Sequence, residues 1–206
     1  APTRTPSSSR PKPLTFAVRP SASSRRSNSI ARSMPPWRTI SRPPSPARAA
    51  LRYLVFALAG SIFYLLGAVL LYGAFGTLDI ALLAAHMQPG STPWVALAMM
   101  TAGLLAKTAL FPLHLWLPPA HAGAPPAASA VLSALVVKGS WFIVIRLWFD
   151  AAPALAGPDA AQFLGALGAT AIVFGSVIAL RQERLKLLVA YSTLAQIGYL
   201  FLMFPL

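Results

Sequence analysis

Two lysines and a histidine carry the chemistry open to this chain. Lys107 and Lys138 each lie inside a long apolar run, and His114 follows Lys107 by seven residues. A lysine at the centre of a membrane helix costs roughly 2.5 to 3.5 kcal/mol on insertion scales, so it faces a partner or water and marks a path for ions or protons. Desolvation disfavours the ammonium form, which makes both lysines candidate stations for gaining and losing a proton. A histidine titrates near neutrality and can pass protons as well. Plainer readings stand beside this one: a lysine that snorkels to an interface or satisfies a backbone carbonyl, and a histidine that only packs. Two lysines at similar depth favour the relay.

Seven residues place Lys107 and His114 on roughly the same face of a helix. Pro112 lies between them, lacks an amide donor and clashes with the preceding turn. A helix broken at membrane depth frees backbone groups that can hold water or ions. His121 falls in a proline-rich connection, residues 117–126, and reads as a structural or gating residue beside a water path. Tyr191, Ser192, Thr193 and Gln196 form a polar patch that either lines such a path or holds helices together. His86 reads as interfacial, Arg146 as a snorkelling residue at a helix end, and Glu183 as a solvated loop charge. The three histidines have no carboxylate or thiolate near them in sequence, so no metal site is expected. The chain has no cysteine, which excludes disulfides and redox thiols. No cofactor motif is present, and no cofactor is expected.

These residues need elements that hold them in an apolar medium. The chain is 56% hydrophobic and only 10% charged, against roughly 25% charged residues in soluble domains, and its mean hydropathy is +0.64. The composition is that of an all-α integral membrane protein. The formal charge of +13 is unevenly spread, since eleven of the seventeen basic residues lie at or before Arg52 and no acid does. Nucleic acid is therefore not an expected partner of the apolar body. Residues 1–50 are rich in Ser, Pro and Arg and too polar to bury a core, so they are expected to be disordered. They read as an organellar transit peptide, as a basic arm on an anionic membrane surface, or as a translation or gene-fragment artefact.

Residues 51–206 form the expected membrane domain. Apolar runs of bilayer-spanning length fall at residues 51–75, 94–116, 127–149, 161–180 and 187–204, which gives about five transmembrane helices, one of them broken at proline. Residues 78–87 are too short to cross and are expected along the interface. Gly60 and Gly67 fall on one face of the first span. Gly165, Gly168, Ala169 and Gly175 are small residues that let membrane helices approach closely. With five spans, Arg48 and Arg52 share a side with the 181–186 loop, which the positive-inside rule assigns to the cytoplasm or its organellar equivalent. Asp150 and Asp159 then lie on the other side.

Residues 106–139, AKTALFPLHLWLPPAHAGAPPAASAVLSALVVKG, resemble the central signature of the antiporter-like membrane subunits of respiratory complex I, Mrp-type sodium/proton antiporters and membrane-bound hydrogenases. Residues 179–199, ALRQERLKLLVAYSTLAQIGY, resemble the segment joining two later helices of that family. The likeness covers about residues 49–206. It implies a fragment of a 14-helix inverted-repeat fold, in which Lys107 matches the lysine of the discontinuous helix and Lys138 the lysine that hands protons toward the channel centre. His114 matches the histidine of a Pro-Leu-His-Trp-like motif. Gln196 stands where some members have histidine, Pro119 where aspartate is usual and Gly123 where glutamate is frequent. In the family an acidic residue on the helix before the first span pairs with the lysine matching Lys107. The basic segment occupies that place here, so the artefact reading of residues 1–50 is preferred and the chain is not expected to complete a proton path alone.

The resemblance implies translocation of protons, or of another cation such as sodium, by a relay through Lys107, Lys138 and His114. The expected setting is a redox-driven pump or multisubunit antiporter. The chain is then at most a translocase subunit of NADH:quinone oxidoreductase type, without a redox or hydrolytic site of its own. The implied partners are other membrane subunits and the lipid bilayer. The implied location is a bacterial inner membrane, ahead of an organellar one. A non-conducting truncated or assembly protein is the alternative.

Overall fold

The first span begins earlier than its hydropathy suggests. In the computed structural model, which describes residues 46–206, helix α1 runs from Pro46 to Phe75. Proline suits a first helical position because its missing amide has no intrahelical partner there, and the Ala-rich turn after it favours helix. The tail expected over residues 1–50 thus gives way to helix at Pro46, and its first 45 residues lie outside the described ones.

Helix α2, Ile80–His86, is one short, largely apolar piece. The Asp79 carboxylate caps it, accepting from the amides of Ala81 at 2.9 Å and Leu82 at 3.1 Å, as an N-cap aspartate should. Seven residues cannot cross a bilayer. Only Leu83 within it is buried.

The second span is two helices. Helix α3, Ser91–Thr108, stops at Ala109, which adopts the left-handed conformation with φ 56° and ψ 33°. A 3-10 turn over Leu113–Trp116 leads into helix α4, Leu117–Gly123, whose first turn accommodates two prolines. The interruption expected at Pro112 therefore begins three residues before it.

Helix α5 covers Pro126–Ala151. Two of its segments, Leu132–Val136 and Arg146–Ala151, are wound as wider π-type turns. Helix α6 is Pro158–Leu180 and helix α7 is Leu185–Phe201. Among the described residues four helical segments are long and apolar enough to cross a membrane, and α7 is a shorter apolar helix. At 17 residues, it rises about 26 Å. The chain then leaves the helix at Leu202, where the fifth span was expected to continue to residue 204.

Two helix pairs dominate the packing, α1 along α3 and α6 along α7. Apolar side chains gain little by leaving apolar lipid, so such pairs depend on close approach and dispersion. Glycines supply that approach. A Cβ on Gly60 would lie 2.7 Å from the Gly103 carbonyl oxygen, and one on Gly67 would lie 2.6 Å from that of Ala96. In the other pair a Cβ on Gly168 would lie 2.8 Å from the Gly198 carbonyl oxygen. Ala169 is exposed and stands outside this seam.

Fewer, more polar contacts attach α5. Trp148 Nε1 donates to Thr101 Oγ1 of α3 at 3.0 Å, and Ser133 Oγ lies 3.4 Å from Thr193 Oγ1 of α7. Helix α4 packs on α7. Lys186 Nζ donates to the Ala124 carbonyl at 3.1 Å. The outer face of α1, with Leu54, Leu58, Leu65 and Val69 each more than half exposed, is a surface suited to lipid.

Candidate functional site

Helix α3 ends with backbone acceptors to spare, and this is where Lys107 stands. The Ala109 amide bonds to the Leu105 carbonyl, and the Leu110 amide reaches back to the same carbonyl at 3.3 Å. Ala106 is thereby left without its helical donor. Trp116 replaces it, donating from Nε1 to the Ala106 carbonyl at 2.8 Å across the break. The indole is fully buried and rests on Tyr53 of α1 with ring centroids 5.1 Å apart.

Beside this bond lies a cavity of about 170 Å³ lined by Tyr53, Ala57 and Ser61 of α1, Ala106 and Lys107 of α3, Trp116, and Val136 and Ser140 of α5. Lys107 is half-buried in its wall. Its stem passes Gly60 closely enough that a Cβ there would lie 3.3 Å from Lys107 Cγ. None of the chain's four acids lines the cavity. Asp79 caps α2, and Asp150 pairs with Arg146 at 3.0 Å on the surface. The arrangement can seat an ammonium or amine against hydroxyls and water, with no carboxylate beside it among the described residues.

His114 does not share this setting. The seven-residue spacing keeps phase only along an unbroken helix, and the chain departs from helix at Ala109. The imidazole is buried at 6% exposure, stacked on Phe111 at 5.5 Å and edge-on to Phe174 of α6 at 4.9 Å, and its Nδ1 has no hydrogen-bond partner. His121 is helical rather than in a loop, belonging to α4. It is buried at 1% exposure and bonded through Nδ1 to Ser129 Oγ at 2.5 Å, while Nε2 is unpartnered.

Lys138 was expected to be buried at the depth of Lys107, and the structure differs. It is exposed on α5 in a stripe with Val131, Leu135 and Phe142, while Val136 and Ser140 of the same helix turn to the cavity. The two lysines therefore do not meet in one cavity. In the α7 patch Thr193 is buried and bonds back to the Val189 carbonyl at 2.9 Å, Tyr191 and Ser192 are half-buried, and Gln196 is exposed. The patch holds helices at Thr193 and does not reach the Lys107 cavity. Tyr53, Ser61, Trp116 and Ser140 went unnoticed in the sequence. Isolated hydroxyls and aromatics in apolar runs give no signal until three helices bring them to one lysine.

The comparisons agree with this architecture. Residues 38–206 match the family model described as NADH:quinone oxidoreductase/Mrp antiporter, TM. The NADH-quinone oxidoreductase subunit N of Desulforudis audaxviator is 42% identical over 159 residues, 75% of this chain and 32% of that relative. Among solved structures, a chain of an archaeal membrane-bound sulfane sulfur reductase superposes with a TM-score of 0.70 at 34% identity, over 77% of this chain and 33% of that one. A chain of the Mrp complex from Dietzia sp. DQ12-45-1b does so with a TM-score of 0.70 at 26% identity, over 77% of this chain and 29% of that one. The chain thus spans about a third of the length of the relatives it matches. With a broken apolar helix carrying a lysine, four helical segments long and apolar enough to cross a membrane among the described residues, and a family match over most of its residues, the chain is an integral, multi-pass membrane protein and belongs to the NADH:quinone oxidoreductase/Mrp antiporter family.

Proposed function

We propose that this chain is part of a subunit that moves protons, or another cation such as sodium, across a membrane. It works within a redox-driven pump or a multisubunit cation/proton antiporter, beside other membrane subunits, and a bacterial inner membrane is its proposed home. The observation that carries this reading is Lys107, held at the end of a broken helix in the wall of a cavity lined also by Tyr53, Ser61 and Ser140. An amine there can take up a proton from water on one side of the membrane and return it on the other.

Lys138 and His114 enter this proposal as further stations, and His121, Tyr191, Ser192, Thr193 and Gln196 as lining of the path. Their separation from the cavity requires water or other parts of the subunit between stations. The names of the relatives support a multisubunit setting, since subunit N and the Mrp complex are both named as parts of larger assemblies.

A non-conducting assembly role is the second reading. It is favoured by the lack of a carboxylate beside Lys107 among the described residues. Replacing Lys107 with Ala in the full-length protein, in its assembled complex, distinguishes the two. Proton flux into vesicles is expected to fall by about tenfold or more, as loss of a proton-transfer group does, with the amount of complex in the membrane unchanged. Unaltered flux would refute the relay and leave the assembly reading.

A further inference from the structure

The cavity beside Lys107 has a chemical polarity set by two serines on different helices. Ser61 Oγ of α1 donates to the Ala57 carbonyl at 2.9 Å, and Ser140 Oγ of α5 donates to the Val136 carbonyl at 2.9 Å. Ser61, Ser140 and both accepting residues line the cavity. Each hydroxyl has one hydrogen, and in each that hydrogen is committed to the helix's own backbone. What either oxygen has left for the cavity is lone pairs alone. Ser140 is 8% exposed, so its oxygen faces the cavity's contents more than bulk water. The one charged side chain lining the cavity is a donor, Lys107.

The volume of about 170 Å³ has room for about five waters at roughly 30 Å³ each. A water that accepts from the Lys107 ammonium has two hydrogens of its own to place, and the serine oxygens are where they go. We propose that Ser61 and Ser140 are positioning residues for a small water cluster that solvates protonated Lys107. The inference rests on the proton-carrying role of Lys107 and adds the residues that make the charged state of that lysine tolerable in an apolar setting. Tyr53, whose ring packs on Trp116, lines the same cavity.

The test uses the full-length protein in its complex, reconstituted in proteoliposomes, with proton flux driven by an imposed potassium diffusion potential. The double variant Ser61→Ala/Ser140→Ala is expected to conduct about tenfold less, the scale of losing hydrogen bonds that serve a charged group. The double variant Ser61→Thr/Ser140→Thr keeps each oxygen and its backward bond and is expected to return to the parental flux. Thr170→Ala removes a hydroxyl with the same backward bond, to the Ala166 carbonyl at 2.8 Å on exposed α6, and is expected to change nothing. Amounts of assembled complex are compared in every case.

Parental flux in the double alanine variant overturns the proposal. So does a loss that threonine fails to reverse, because the effect is then one of packing. Lys107→Ala is measured alongside. If it abolishes flux while the alanine pair conducts normally, the serine assignment alone fails. If Lys107→Ala itself conducts normally, the lysine reading fails and the role given to the serines falls with it.

Discussion

At the scale of residues, the broken helix is held by one bond that sequence could not foretell. Trp116 supplies the Ala106 carbonyl with the donor that helix α3 withholds. Trp116→Phe keeps most of the ring against Tyr53 and removes that donor, leaving a buried acceptor unpaired. The expected cost is about 1 to 3 kcal/mol, read as a lower midpoint of thermal unfolding of the purified protein; an unchanged midpoint would mean that Ala106 finds another donor. Lys107 stands out in the sequence as a candidate because a charge in an apolar run is costly wherever the helix points. The separation of His114 from it was not legible. Spacing predicts a shared face only while helical phase persists, and here phase is lost at Ala109, an alanine in a conformation that glycine usually signals. Lys138 was read as buried for the same reason as Lys107, but hydropathy reports that a residue lies in an apolar segment and not which way its helix turns.

At the scale of elements, the apolar runs of bilayer-spanning length each coincide with helix because a bilayer demands such runs, although the first helix starts five residues before its run and the helix of the second stops at Thr108. The π-type turns in α5 were not legible, since nothing in LSALV or RLWFDA distinguishes a wide turn from an ordinary one. Two glycines of α1 give a paired prediction. Gly60→Ala would drive a methyl against the Gly103 carbonyl and is expected to destabilise the α1–α3 pair by about 1 to 3 kcal/mol, the range for overpacking. Gly73→Ala, with nothing within 4 Å of the new Cβ, is expected to be neutral or stabilising by up to about 1 kcal/mol. Thermal unfolding of both variants in the same detergent checks the contrast, and equal shifts would refute the close approach at Gly60.

At the scale of the whole molecule, helix α6 divides the charged loops. Its 23 residues rise about 34 Å, enough to cross a hydrocarbon core of about 30 Å. The Asp150 to Asp159 loop and the Arg181 to Lys186 loop are therefore expected on opposite sides, and the positive-inside rule predicts that the basic one faces the cytoplasm or its organellar equivalent. The chain has no cysteine, so Ala154→Cys and Glu183→Cys can each be labelled alone in intact cells. An impermeant thiol reagent is expected to reach Ala154→Cys from outside and to miss Glu183→Cys until the membrane is opened; equal labelling would overturn this topology. The family was legible at this scale from the 106–139 and 179–199 strings, whereas the cavity was not, because its walls come from three separate segments. Two of those walls, α1 and α3, touch backbone to backbone at Gly60 and Gly103 and cannot draw closer. The width of the chamber around the lysine is consequently set by the third wall, α5, at the widened turn over Leu132–Val136 that brings Val136 to the lining.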